Sequence, residues 1–485
     1  MKSLYLFFSF FLYLFCFQVN AQITQIGNGI LGEAVLNLSG ASVSMSDDGS
    51  RVAIGAPDNE NGGHVRIFEW DGSSWNQVGS DLDGENSFDG NGQSCSLSSD
   101  GNIIATGAPR NDGGGASSGH VRIFEWDGSS WNQVGSDLDG ESSDRLGFSV
   151  SISSDGNRVA TGGWGGEDFF GVAKIFEWNG LSWNQLGANI VGEAADDSFG
   201  ESISLSSDGS RVIVGAPGND GGGPTAGHAR VFEWDGVSWN QIGMAIEGEA
   251  PFDRLGNSVA ISSNGNRIAI GAWGSNSVDG GVKVYDWDGV SWNLVGSEIV
   301  GESGSQAGVS ISLSSNGNLL AIGANTAFGG GHAKIFDWNG VSWTQIDMNI
   351  DGEGSGEQFG AAVSITGNGN RVAVGAPRND ENGITAGKVR VFEINSTVNV
   401  NSVFNDESIV IYPNPTENVL KIKLPNIYKV IKIQLVNILG QNTEFNLIDP
   451  TTLNTSNLVD GIYVLNILVE DKGVVSRKFT VCHKK

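Results

Sequence analysis

Short alternating runs of apolar and polar residues, separated by glycine-bearing turns, recur from residue 23 to residue 394. The segment His64-Val65-Arg66-Ile67-Phe68-Glu69-Trp70 shows the pattern best. Its apolar and polar residues fall on opposite faces of an extended strand. Ala41–Met45 alternates small and apolar residues, Arg51–Ile54 is a β-branched run, and Trp75–Val78 follows after Asp71-Gly72. Asp-Gly between two strand patterns is a hairpin signal, because the glycine tolerates positive φ. These runs predict a unit of four short strands.

The unit repeats. The phrase F-E-W-D-G-x-S-W-N-Q stands, with small changes, at Phe68–Gln77, Phe124–Gln133, Phe176–Gln185, Phe232–Gln241, Tyr285–Leu294 and Phe336–Gln345. A truncated seventh copy ends at Val391-Phe392-Glu393-Ile394. A second phrase, S-x-S-x-D/N-G-x-x-V-A-x-G-A-P, precedes each copy. Its central glycines are Gly49, Gly101, Gly156, Gly209, Gly265, Gly317 and Gly369, spaced by 52, 55, 53, 56, 52 and 52 residues. Seven four-stranded units of this period predict an all-β, seven-bladed β-propeller. The 12 paired tryptophans flank the hairpin turns and are expected to pack between blades.

The seventh unit lacks its W-N-Q-V-G strand, and the other end of the chain has a surplus one. Ile23-Thr24-Gln25-Ile26-Gly27 matches Trp75-Asn76-Gln77-Val78-Gly79, and Gly32-Glu33 matches Gly84-Glu85. The N-terminal segment is therefore expected to supply the outer strand of the last blade, closing the ring and leaving only short sheet edges.

The opening of each unit, best seen as Phe199-Gly200-Glu201-Ser202-Ile203-Ser204 leading to Val214-Gly215-Ala216-Pro217, resembles the FG-GAP repeat of integrin α-subunit propellers and their bacterial relatives. The resemblance covers residues 23–394. It implies calcium loops of the form D-x-D-x-D-G. Here the loop reads Ser-Ser-Asp-Gly-Asn, as at Ser98–Asn102. A lone carboxylate cannot supply the six to eight oxygens calcium takes. Calcium is thus the one cofactor the family leaves open, and no cofactor or metal ligand set is predicted.

The two ends read differently. Residues 1–21 carry Lys2, an apolar stretch Leu4–Phe17 and a small-residue site Val19-Asn20-Ala21 before Gln22, the pattern of a secretory signal. The stretch is too short for a lasting membrane span. Asn395–Ser408 is a polar linker. Residues 409–485 contain Tyr412-Pro413-Asn414-Pro415-Thr416, Leu435–Gln441, Leu458–Val464 and Arg477-Lys478-Phe479 in that order. They resemble the C-terminal sorting domain of the type IX secretion system of Bacteroidota-type bacteria. The resemblance implies a small immunoglobulin-like β-sandwich, the secretion machinery as partner, and export across the outer membrane. It also implies cleavage in or near the linker, with the product released or held on the cell surface.

Charge narrows the partners. The chain carries −28. Residues 22–408 alone hold 17 Lys/Arg against 49 Asp/Glu. Nucleic acid is excluded, since phosphate binding needs clustered Lys/Arg. Beyond the signal there are two cysteines, Cys95 and Cys482, so no disulfide framework is expected. A monomer is expected, stabilised by the repeated core and ring closure.

A propeller enzyme must break its own symmetry, and few polar residues here do so. Arg66, Arg122, Arg230 and Arg390 are equivalent, as are His64, His120, His228 and His332. The histidines sit on different blades, too far apart to share one ion, and read as strand-edge packing. Two features stand out. One Gly-Glu per unit places Glu33, Glu85, Glu141, Glu193, Glu249, Glu302 and Glu353 at equivalent turns. They form either an acidic ring on one face or solvated turn caps. The loop after Gly-Ala-Pro varies most, and loops on a rigid scaffold carry binding. There Trp164 and Trp273 replace the proline, and Phe169 and Phe170 add an aromatic pair. They are either ligand anchors or fillers of space left by a shorter loop. The expected function is a secreted or cell-surface, non-catalytic binding or adhesion propeller for a glycan or protein. The alternatives are a glycan-acting hydrolase or lyase, and a purely structural surface protein.

Overall fold

The computed structural model describes residues 22–485 except 60, 167–169, 327–328, 396–408, 426–429, 438–442, 444, 450, 470–472 and 484–485. The expected signal, and the expected linker apart from Asn395, therefore lie outside the described residues. The chain divides into two compact units, one ending at Asn395 and one starting at Ser396.

The first unit is a seven-bladed propeller. In blade 1 the antiparallel order runs Ser42–Met45, Arg51–Ala56, His64–Trp70, Trp75–Gln77 from the axis outward. The second strand is buried along its whole length, which is why it reads as a continuous apolar run. The pattern repeats in seven sheets. One element was not expected: a two-residue strand, Leu82–Asp83, pairs back onto His64 and Val65. The outer strand breaks at Gly79, at φ +76°, and then returns to the same partner.

Ring closure takes the expected form. Gln22–Gln25 pairs with Phe392–Asn395, and Ile30–Leu31 pairs with Lys388–Val389. At the axis the blades are joined by a circle of backbone hydrogen bonds. The amides of Asp47, Ser99, Ser154, Ser207, Ser263 and Ser315 donate to the carbonyls of Ser99, Ser154, Ser207, Ser263, Ser315 and Gly367, at 2.9–3.1 Å. Asn368 donates back to Asp47.

The repeated phrases turn out to be two halves of one inter-blade joint. A Cβ on Gly55, the glycine of Gly-Ala-Pro, would lie 2.0 Å from the Gly92 carbonyl of the next blade. Gly107 meets Gly147 at 2.0 Å and Gly215 meets Gly256 at 1.9 Å in the same way. The second glycine of each pair has φ near +90°, a region that only glycine enters without strain. The carbonyls of Gly92 and Gly147 accept from Ser42 Oγ at 2.9 Å and Ser94 Oγ at 2.8 Å. The paired tryptophans are inter-blade staples, half-buried rather than core. Trp70 and Trp75 lie 5.3 Å apart, and Trp131 Nε1 donates 2.9 Å to the Val78 carbonyl of the preceding blade.

The second unit has two sheets around one core. One sheet runs Val410–Tyr412, Val419–Lys423, Thr452–Asn454, Asn446–Asp449; the other runs Val430–Asn437, Gly461–Val469, Gly473–Val481. Leu420, Leu453, Leu465, Ile467 and Phe479 fill the space between them. This is a small β-sandwich.

Candidate functional site

Two sets of connections share one end of the blades. The loop after Gly-Ala-Pro leads into the third strand, and the Gly-Glu turn carries the chain to the next blade. They are tied by parallel bridges such as Gly63–Asn91, Gly119–Leu146 and Gly227–Leu255. This face therefore combines the most variable loops with all seven Gly-Glu turns.

Five of the seven carboxylates of those turns are answered by cations. The third strands carry nearly buried basic residues, whose heads reach back to the preceding turn. Glu33 meets Arg66 at 3.4 Å, Glu193 meets Arg230 at 3.3 Å, and Glu302 meets Lys334 at 2.7 Å. Glu249 meets Lys283 at 2.5 Å, and Glu353 meets Lys388 at 2.6 Å. Glu85 lies 3.9 Å from His120. In the third blade Asp144, not Glu141, pairs with Lys174, at 3.1 Å. The arginines also hold backbone: Arg66 donates 2.7 Å to the Leu31 carbonyl and Arg230 donates 2.7 Å to that of Val191. Desolvation lowers the pKa of Arg66 and Arg230, and their glutamates oppose the shift.

The four histidines open the third strands and are almost completely buried. Neither ring nitrogen of His64, His120 or His228 has a hydrogen-bond partner in the structure. An imidazole left so costs roughly 1–3 kcal/mol. Burial, aided by the neighbouring arginine, holds His64 and His228 down at about 4, so both are neutral at pH 7.

Trp164 and Trp273 are half-buried beside the inner strands. Trp164 meets the Phe148 ring edge-on at 6.0 Å, and the Arg145 guanidinium lies 4.3 Å from its ring. Trp273 Nε1 donates to Asn257 Oδ1 at 3.1 Å, and Arg254 lies 5.1 Å from its ring. Phe170 is exposed, and Phe169 lies outside the described residues. Phe148, Glu201 and Asn257 hold equivalent positions at the start of inner strands, so they ring the axis. Glu201 breaks the symmetry. Burial pushes its carboxyl up to about 7, against the opposing charge of Arg254.

Sequence reasoning missed several strongly exposed apolar groups of this face. Leu36 is 59% exposed, Phe88 81% and Phe252 62%. All three sit in the crossing turns in left-handed backbone, at φ +66°, +74° and +70°. That conformation costs ~1–2 kcal/mol in a side chain other than glycine. Leu36 and Phe88 border a groove of about 530 Å³ with Pro57 and Arg110. Phe252 and Pro251 border a second of about 510 Å³. The signal was partial: Phe88 is the one apolar residue in Glu85–Gly90, but nothing in the sequence marks its turn as left-handed.

Family models match parts of both units. The FG-GAP repeat model matches residues 192–232 and 350–392, and the secretion system C-terminal sorting domain model matches residues 410–482. No curated protein matches the chain. Among solved structures, the C-terminal WD40 domain of Sif2 is similar at 13% identity and TM-score 0.48, covering 77% of this chain and 98% of its own. A candidate 6-phosphogluconolactonase from Bacteroides uniformis ATCC 8492 is similar at 13% identity and TM-score 0.47, covering 87% of this chain and 96% of its own. At these scores neither likeness bears on function. The sorting domain marks proteins that Bacteroidota secrete or anchor on their outer surface. The chain is an FG-GAP-repeat β-propeller followed by a type IX secretion system C-terminal sorting domain.

Proposed function

We propose that the propeller is a non-catalytic binding module working outside the cell, with the loop-and-crossing face as its ligand surface. The observation that carries this reading is the exposure of Leu36, Phe88 and Phe252 in left-handed turns. Apolar exposure and backbone strain together disfavour the free protein and persist where a ligand offsets them. Trp164 and Trp273 serve as inner anchors, each offering an indole with one cationic neighbour. The ligand is a glycan or an extracellular protein, recognised by aromatic and aliphatic contact within a rim of ion pairs. The mature protein ends within or near Asn395–Ser408, the sorting domain having been removed after export.

The enzymatic alternative has one specific support. A glycan-acting hydrolase or lyase would use Glu201 as its general acid, since burial pushes its carboxyl up to about 7. A glycan and extracellular-protein array tests the main reading. Specific retention that is lost on changing Leu36 and Phe88 supports it. Turnover of a glycan that is lost in Glu201→Gln would replace it with the alternative.

A further inference from the structure

Among the described residues, blades 1 and 2 differ from the other five in one chemical respect. Each gathers a histidine and two carboxylates whose ligand atoms all lie within 4.8 Å of one another: Glu33, His64 and Asp81 in the first, and Glu85, His120 and Asp137 in the second. We infer that each of these clusters binds one divalent transition-metal ion of the zinc class.

The histidine forms the floor. His64 and His120 side chains are each 1% exposed, with both ring nitrogens lacking a hydrogen bond. Nδ1 of His64 faces Asp81 Oδ2 at 3.7 Å. Nδ1 of His120 faces Asp137 Oδ2 at 3.8 Å and Glu85 Oε2 at 3.9 Å. These gaps are too long for hydrogen bonds. They are close to the ~3.4 Å edge of a tetrahedron of ligands around zinc at about 2.1 Å. Burial lowers the pKa of both imidazoles, which favours the neutral form that binds metal.

The carboxylates form the rim and stay open to solvent, so an ion has a way in. The aspartates are oriented for the task. Gln77 donates 2.7 Å to Asp81 Oδ1 and Gln133 donates 2.6 Å to Asp137 Oδ1, which leaves each Oδ2 facing the imidazole. Outer hydrogen bonds of this kind fix ligand geometry. Three protein ligands leave a fourth position for water.

The other histidine blades lack the set. Blade 4 has Ala245 where blade 2 has Asp137; Glu247 instead lies 3.7 Å from His228, while Arg230 holds Glu193 at 3.3 Å, and Glu193, His228 and Glu247 do not gather into one set. Blade 6 has Asn349 at the Asp137 position. Asn349 Nδ2 instead donates 3.1 Å to Glu302, which Lys334 already holds. The two sites are also unequal. Arg66 lies 3.4 Å from Glu33 and competes for it. Arg122, its counterpart, donates to the Asp83 carbonyl as Arg66 does to that of Leu31, but does not reach Glu85 within ion-pair distance. Among the described residues His120 is the one basic side chain within ion-pair distance of Glu85. The second site therefore binds more tightly.

The test is zinc titration of the full chain, stripped with chelator and held in physiological salt with excess magnesium. Calorimetry and elemental analysis after dialysis give the stoichiometry, and cobalt substitution gives a tetrahedral absorption band. The parent should take up two more equivalents than Asp81→Asn/Asp137→Asn. Asp137→Asn alone should remove the tighter site, weakening it ~100-fold or more. Glu33→Gln/Glu85→Gln repeats the test from the other carboxylates, should the aspartate pair not fold. Equal uptake by parent and both double variants, or no saturable uptake by the parent, would overturn the assignment. The second result would leave water as the bridge between imidazole and carboxylates.

Discussion

Removing the N-terminal strand should open the ring. A chain starting at Gly32 loses the four-residue pairing with Phe392–Asn395, the pairing of Ile30–Leu31, and the Ile26 amide bond to the Val391 carbonyl at 2.9 Å. It also loses Ile30, which is buried, and Ile23 and Ile26, which are partly buried against the last and first blades. Burying an aliphatic side chain fully is worth about 1.5–3 kcal/mol, so the three together contribute about 3–6 kcal/mol. The exposed third strand can bond to water, so each backbone bond adds only ~0.5–1.5 kcal/mol net. A total on the order of 5–8 kcal/mol is comparable to the whole stability of an ordinary domain. Scanning calorimetry should show Tm falling by ~10 °C or more. The bare strand should also promote self-association. Adding a peptide of residues 22–31 should restore part of the loss. An unchanged Tm with monomeric behaviour would refute ring closure as the source of stability.

Three further outcomes are expected. Mass spectrometry of surface or culture-medium protein should find a C-terminus within or near Asn395–Ser408; recovery of chain ending at Lys485 outside the cell would contradict removal of the sorting domain. Trp164→Ala and Trp273→Ala, made singly, should each weaken ligand binding roughly tenfold, and melting curves decide between roles, since lost stability with intact affinity assigns the indole to packing. Stability should fall in acid, because His228 is held at about 4 in the folded state and titrates near 6.5 when unfolded. The unfolded chain therefore binds more protons between those values, and the loss from pH 7 to pH 5 is about 2 kcal/mol for this residue. Urea titrations at both pH values should show the slope flattening by that amount in His228→Gln.

Much of this fold was legible because each blade repeats its own chemistry. Ring closure followed from a missing W-N-Q-V-G strand at one end and a surplus one at the other. The joint between Gly55 and Gly92 was visible only as two separate phrases, since nothing local says that a glycine on one blade meets a glycine on the next. The two-residue return strand at Leu82–Asp83 escaped notice, because two residues carry no periodicity. The histidines were compared with one another across blades. Their true neighbours are carboxylates of adjacent turns, one from before the blade and one from after its outer strand. Glu201 and Phe88 were hidden differently. Each is an ordinary residue type made unusual by its place, one at the axis and one in a left-handed turn.

Leu36→Asn with Phe88→Asn tests the binding face most directly. Asparagine tolerates left-handed backbone better than leucine or phenylalanine, so the double variant should melt at or above the parent's temperature. Losing one buried aromatic contact to a ligand costs about 1.5–3 kcal/mol, which is roughly a 10- to 150-fold loss of affinity. On a glycan and extracellular-protein array the parent should therefore retain a specific ligand that the equally stable variant does not. Equal retention by both proteins would contradict the assignment of this face.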